Sequence, residues 1–219
     1  MNTSKPIDAP IPVATDRATQ QTRSRYDRLA PYFDRFEAGI EARRFRKWRT
    51  LLWNRATGEE VLELGVGTGK NFPFYRPEWS VTAIDLSPRM LEQAKQRAQR
   101  EHVKVQLLPA DAQSLPFPSA RFDTIVGTFV FCSVPDPIRG LCEARRVLRP
   151  TGQLLLLEHV RSNQPLLRLA MNLMNPVMVR LTGANMNRET VRNVELAGFS
   201  GVDTEELWGD VVRLIEVRS

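Results

Sequence analysis

From residue 59 onward, short apolar runs alternate with longer stretches whose apolar positions recur every three or four residues. That rhythm predicts strands and helices taking turns, as in an α/β parallel sheet. Glu60 to Leu64 and Ser80 to Ile84 predict the first two strands. Between them, KNFPFYRPEW predicts a short helix interrupted at Pro73 and ended by Pro77, since proline lacks the amide that a helix interior uses. Ser87 predicts an N-cap, with Pro88 at the first helical position and the helix continuing through MLEQAKQRAQR. Val103 to Leu108 predicts a third strand and ARFDTIVGTF a fourth. Asp136 or Pro137 then opens a helix through LCEARRVL. A turn at Pro150 to Gly152 leads into QLLLLEHV, apolar enough to be a central strand covered on both faces. Asn187 predicts the cap of a last helix that Gly198 ends, and Val202 to Leu207 and Val211 to Val217 predict two closing strands.

Two regions break the rhythm. Residues 1–19 are polar and proline-containing and predict a mobile tail, and residues 20–58 predict a helical cap. Residues 59–219 form the main domain, interrupted by an insert at about 161–186. Pro165 to Leu181 in that insert is apolar and methionine-containing. Its charges, with Arg161 just before it, are Arg168 and Arg180, and it holds no acid. Such a segment predicts a wall over a lipophilic substrate, a piece dipping into an anionic membrane surface, a lid on the domain's own core, or a dimer contact.

With 219 residues and 42% hydrophobic content, the chain can fill one domain. No apolar run approaches the roughly 20 residues of a membrane span, and the opening has no signal-peptide core. A cytoplasmic protein is expected. Cys132 and Cys142, with two histidines, make no metal-ligand pattern, so no metal is expected and both thiols are taken as reduced. The net charge of +6 favours phosphate-bearing ligands, nucleic acid or an anionic membrane. Part of that excess lies in EARRFRKWRTLLWNR, where Arg43, Arg44, Arg46, Lys47, Arg49 and Arg55 surround Phe45, Trp48 and Trp53. This stretch predicts either a solvated helix face or an interfacial one.

The candidate chemistry sits in VLELGVGTG. A glycine-rich turn between strand and helix lets backbone N–H groups and the helix N-terminus face a ligand. Gly65, Gly67 and Gly69 give G-x-G-x-G rather than the dinucleotide spacing, so the loop alone is weak evidence. The acids add the weight. Asp85 ends the second strand twenty positions after Gly65, placed to accept from ribose hydroxyls, with Leu86 beside it. Asp111 follows the third strand, placed to accept from an adenine amino group. Glu63 ends the first strand and needs partners, either loop amides or a ligand ammonium. All three fall at C-terminal strand ends, where open α/β sheets bind ligands.

VLELGVGTG, VTAIDLS, LLPADAQSLPFPSARFDTIVGTF and LCEARRVLRPTGQLLLLEHV together resemble the successive motifs of the class I S-adenosylmethionine-dependent methyltransferases, over about residues 59 to 160. The resemblance implies a Rossmann-like, seven-stranded, mostly parallel sheet with a reversed last strand. It implies S-adenosylmethionine as cofactor. Gly65, Gly67 and Gly69 would pass under its methionine part, Asp85 would hold the ribose, Asp111 with Ala112 would frame the adenine, and Thr128 would line the methionine side. A non-catalytic adaptor on this fold would be free to lose those features.

For the acceptor, GTFVFCSVPDP after strand four lacks the tetrad of base and amino methylators of nucleic acid, so nucleic acid is disfavoured. RYDRLAPYFDRFE resembles the N-terminal helix that closes over the cofactor in quinone and phospholipid methyltransferases, which would turn Tyr26 and Tyr32 toward the methyl group. EHV followed by GANMNRETVRNVELAGF resembles bacterial phospholipid N-methyltransferases and the alkyl thiol methyltransferases of animals. His159, ending strand five, is a candidate to accept the acceptor's proton. The expected substrate is an amphipathic small molecule or lipid, phosphatidylethanolamine first, with quinone carbon or alkyl thiol as alternatives. The basic N-terminal helix and the lid would face an anionic membrane.

Overall fold

The structure is a computed structural model that describes residues 16–40 and 44–218. Seven strands form one sheet in the order β3-β2-β1-β4-β5-β7-β6. They are β1 (Glu60–Leu64), β2 (Ser80–Asp85), β3 (Gln106–Pro109), β4 (Phe122–Thr128), β5 (Leu148–His159), β6 (Val202–Trp208) and β7 (Val212–Arg218). β7 runs antiparallel to both neighbours, and the remaining pairs are parallel. This is the expected Rossmann-like sheet. Its strand order reverses between β1 and β4, and a ligand crevice belongs at the C-terminal edge there.

The helices are α1 (Arg17–Ile40), α2 (Arg46–Trp53), α3 (Pro88–Arg100), α4 (Pro137–Val147), α5 (Pro165–Thr182) and α6 (Thr190–Leu196). Local chemistry sets the starts of two of them. Ser87 Oγ accepts from Met90 N–H and Asp136 Oδ1 accepts from Arg139 N–H, each followed by proline at the first helical position. α4 and α6 cover one face, where Leu62, Ile125, Phe131 and Leu154 are fully buried. α2 covers the other, packing Trp48, Leu52 and Trp53 on Val61, Leu155 and Leu157.

Several expectations change. Residues 1–15 of the expected tail lie outside the described residues, but Arg17 to Thr19 already belong to α1, which Asp16 caps by accepting from Thr19 N–H at 2.9 Å. KNFPFYRPEW makes only a single 3-10 turn at Phe72–Phe74. β3 begins at Gln106 rather than Val103, and β5 runs back through the expected turn to Leu148. Asn187 does not cap α6, which begins at Thr190. Its amide instead donates to Asn172 of α5.

Candidate active site

The three loop glycines all have positive φ, at 63°, 56° and 83°, and they do different work. A Cβ on Gly65 would lie 2.6 Å from Val130 Cγ2, and one on Gly69 2.4 Å from Phe72 Cε2. Those two positions are demanded by the protein's own packing. A Cβ on Gly67 would meet nothing within 4 Å, so the loop opens onto free space there. Only one of the three glycines therefore leaves room for a ligand beside the backbone.

Asp85 fixes that opening. Its Oδ2 accepts from Gly67 N–H at 2.9 Å and its Oδ1 from Ser87 N–H at 2.8 Å, tying the glycine loop to the start of α3. Burial pushes its carboxyl up to about 6, and the two N–H donors pull the other way. At neutral pH it is an anionic acceptor with lone pairs left over. Leu86 is half-buried between Asp85 and Ser87.

Asp111 is buried beyond β3, where Ala110 N–H donates to Asp85 O and joins the two strand ends. It accepts from Gln113 N–H at 2.9 Å, and Gln113 Nε2 lies 3.0 Å from both carboxylate oxygens. Ala112 is buried next to it.

Glu63, for which loop amides or a ligand ammonium were the expected partners, bonds to two side chains. Asn71 Nδ2 donates to it at 2.7 Å, and Tyr75 Oη also donates. Asn71 further bonds Thr128 Oγ1 at 3.1 Å and accepts from Arg49 at 2.8 Å. Burial raises Glu63 to about 7, against the bonds from Tyr75 and Asn71 and the charge of Arg49. Thr128 thus belongs to the network braced beneath the loop.

α1 lies over this edge and is clasped by its acids. Asp27 accepts from Ser87 Oγ at 2.6 Å. Asp34 accepts from Thr68 Oγ1 at 2.6 Å, pairs with Arg97, and has Lys70 at 3.7 Å. Thr19 accepts from Gln113 Nε2 at 3.1 Å and reaches Asp111 through it. Neither Asp27 nor Asp34 was singled out from sequence, because acids on a helix carry no signal until their distant partners are known. Gln113 had a local signal, since an aspartate commonly bonds the amide two residues on.

Of the candidate catalytic residues, Tyr26 is half-buried and shares a hydrogen bond with Ser133 of the loop after β4, at 2.5 Å. Tyr32 does not join it. It is 60% exposed, on the side of α1 away from the clasp. His159 has aromatic neighbours. Its ring stacks on Phe129 at 4.5 Å and meets Phe45 edge-on, on the α2 side of the sheet. Burial lowers it to about 4, which makes it a weak base toward an ammonium. Glu158 beside it was not anticipated. Its Oε1 accepts from Val130 and Phe131 N–H at 2.8 and 3.0 Å, and burial pushes it up to about 7. It sets the loop that carries Ser133. Burial pushes the Cys132 thiol up to about 12, so it stays protonated, and among the described residues no cluster could hold a metal.

The basic stretch around α2 turns its aromatic side chains inward and leaves Arg44, Arg46 and Lys47 exposed. Arg43 lies outside the described residues, but Phe45, Trp48 and Trp53 are core, and Arg49 points inward to Asn71. Arg55 pairs with Glu205 and Glu216.

Residues 62–156 match the family model described as "Methyltransferase domain". The thiol S-methyltransferase TMT1B of Rattus norvegicus is 33% identical over 189 residues, 80% of this chain and 78% of that one. The demethylmenaquinone methyltransferase of Tropheryma whipplei is 32% identical over 175 residues, 76% and 72% of the two. The chain belongs to the class I S-adenosylmethionine-dependent methyltransferases. The phosphatidylethanolamine N-methyltransferase of Cereibacter sphaeroides is 40% identical over 122 residues, but that covers only 54% of this methyltransferase and 60% of the relative. The solved [4+2]-cyclase SpnF superposes with a TM-score of 0.72 at 23% identity, covering 91% of this chain and 78% of that one. A cyclase on the same fold shows that the fold alone does not choose the reaction.

The cofactor of this methyltransferase is S-adenosylmethionine, which brings a methyl group on a positively charged sulfur. The residues fit such a ligand. Gly67 leaves open space, Asp85 offers an anionic acceptor beside it, and Asp111 offers a second beyond β3.

Proposed function

We propose that this methyltransferase acts on an amphipathic amine, with the phosphatidylethanolamine headgroup as first candidate. One observation carries the reading: the Tyr26–Ser133 pair stands where α1, the loop after β4 and α5 come together. Asn185, just after α5, donates from its backbone N–H to Cys132 O at 2.8 Å, and a Cβ on Gly183 would lie 3.8 Å from the Tyr26 ring. The acceptor side thus holds two hydroxyls close to the end of α5, a helix whose apolar residues face outward. The name of the Cereibacter sphaeroides relative supports the amine, and the apolar helix supports an acyl-chain carrier.

In this reading Glu63, Thr128 and Asn71 hold the floor of the cofactor site, Asp85 and Asp111 hold the nucleoside, and α1 excludes water. Tyr26 and Ser133 orient the amine through their oxygens, and the ring face suits a methylated ammonium. With a donor already activated, positioning is the main contribution required of the protein.

The test is incubation with labelled cofactor and anionic liposomes containing phosphatidylethanolamine. Labelled monomethyl lipid is expected. Label on a quinone precursor or an alkyl thiol, with none on the lipid, would move the assignment. That second reading draws on the two relatives whose similarity runs over the greater share of both chains.

A further inference from the structure

α5 is built inside out. A surface helix in a soluble domain ordinarily turns its apolar stripe to the core and its polar side chains to water. Here Asn175 turns to the domain, donating to Asn185 Oδ1 at 3.3 Å and accepting from Met186 N–H at 2.8 Å, and Asn172 accepts from Asn187 at 3.0 Å. Met171 is the one buried residue of the helix. Leu166, Leu169, Leu173, Val177 and Leu181 recur three or four apart and form the opposite face, with Leu166 84% and Leu173 71% exposed. Such spacing places them on one stripe.

The charges along this helix are of one sign. α5 holds no carboxylate, and Arg168 and Arg180 are both exposed. Its end abuts α1, where a Cβ on Gly183 would lie 3.4 Å from Arg25 Cδ. Arg17, Arg25 and Arg28 line a shallow hollow on that part of α1.

We propose that this face docks on an anionic lipid bilayer, the leucine stripe entering the acyl boundary while the arginines of α5 and α1 meet lipid phosphates. A second copy of the chain fits worse. α5 packed on α5 would bring Arg168 and Arg180 of both copies together with no carboxylate on either helix. The docking surface adjoins Tyr26, so a lipid acceptor would reach the site from the bilayer. This last link rests on the amine-lipid reading above, whereas the docking itself rests on α5.

The experiment is co-sedimentation with equimolar phosphatidylcholine and phosphatidylglycerol vesicles, which contain no amine acceptor and so separate docking from turnover. The protein is expected to bind them, and to bind pure phosphatidylcholine vesicles poorly. L166E/L173E should weaken binding by roughly tenfold or more, and R168E/R180E should remove the preference for anionic lipid, while S-adenosylhomocysteine affinity stays unchanged as a check on folding. Three results would overturn the proposal: no vesicle binding by the unaltered protein, binding that survives L166E/L173E, or a solution dimer that those substitutions dissolve. Vesicle binding without methylation of an amine lipid would sink the acceptor assignment and leave the docking intact.

Discussion

α1 and α5 lie at the same end of the sheet, and each turns polar side chains toward the domain. α1 makes its inward contacts with acids and hydroxyls that engage the cofactor edge itself: Asp27 on Ser87, Asp34 on Thr68 and Arg97, Thr19 on Gln113. α5 is tied down by asparagines to the segment that follows it, and it spends its apolar residues outward. The contrast separates two tasks. A helix bonded to the loops that hold a ligand should govern cofactor affinity. A helix whose apolar side is left to the outside should govern where the protein sits.

Four perturbations sharpen that division. The largest effect is expected for Asp85→Asn, which removes the charge from two N–H···carboxylate bonds and from the acceptor facing the open loop. S-adenosylhomocysteine affinity measured by calorimetry should fall about a hundredfold, with vesicle binding unchanged. Next is pH. Burial raises Asp85 to about 6, above its ordinary value of 3.8, and its ionised form is the stronger acceptor, offering charged oxygens to both the loop amides and ligand hydroxyls. Affinity should therefore be full above about pH 7 and fall roughly tenfold by pH 5, and Asp85→Asn should flatten the curve. Asp34→Ala comes third. Releasing Thr68 and Arg97 should open α1 to limited proteolysis and weaken S-adenosylhomocysteine about fivefold, with a smaller change in vesicle binding, because α5 carries the apolar stripe. If Asp34→Ala loosened vesicle binding more than cofactor binding, the division of labour would be wrong. The smallest effect is for Tyr26→Phe, which loses one hydrogen bond to Ser133. It should lower kcat/KM for the acceptor about threefold to fivefold while cofactor affinity holds.

Local chemistry made much of this fold legible from residue types alone. The caps at Ser87 and Asp136, with Pro88 and Pro137 behind them, fix two helix starts through contacts no more than three residues away. The apolar run of β5 placed it in the middle of the sheet. Contacts across the chain were not legible. Asn187 has the chemistry of a cap, but Asn172 of α5 claims its amide. Phe45, Trp48 and Trp53 have the composition of an interface, yet the sheet buries them. The insert after β5 was legible as apolar and basic, but not as inverted, because its outward face is decided by asparagines that bond beyond the helix. In the site, the glycine loop and Asp85 were visible by spacing. The partners of Glu63, the clasp by Asp27 and Asp34, and the anchoring of the Ser133 loop by Glu158 required the fold.

The most direct test of the central claim is a crystal structure of the protein with S-adenosylhomocysteine. The ribose hydroxyls should lie within hydrogen-bonding distance of the Asp85 carboxylate, with the adenine beside Asp111 and Ala112 and the ligand backbone passing Gly67. Density for the ligand elsewhere, or an Asp85 side chain turned away from it, would contradict the account.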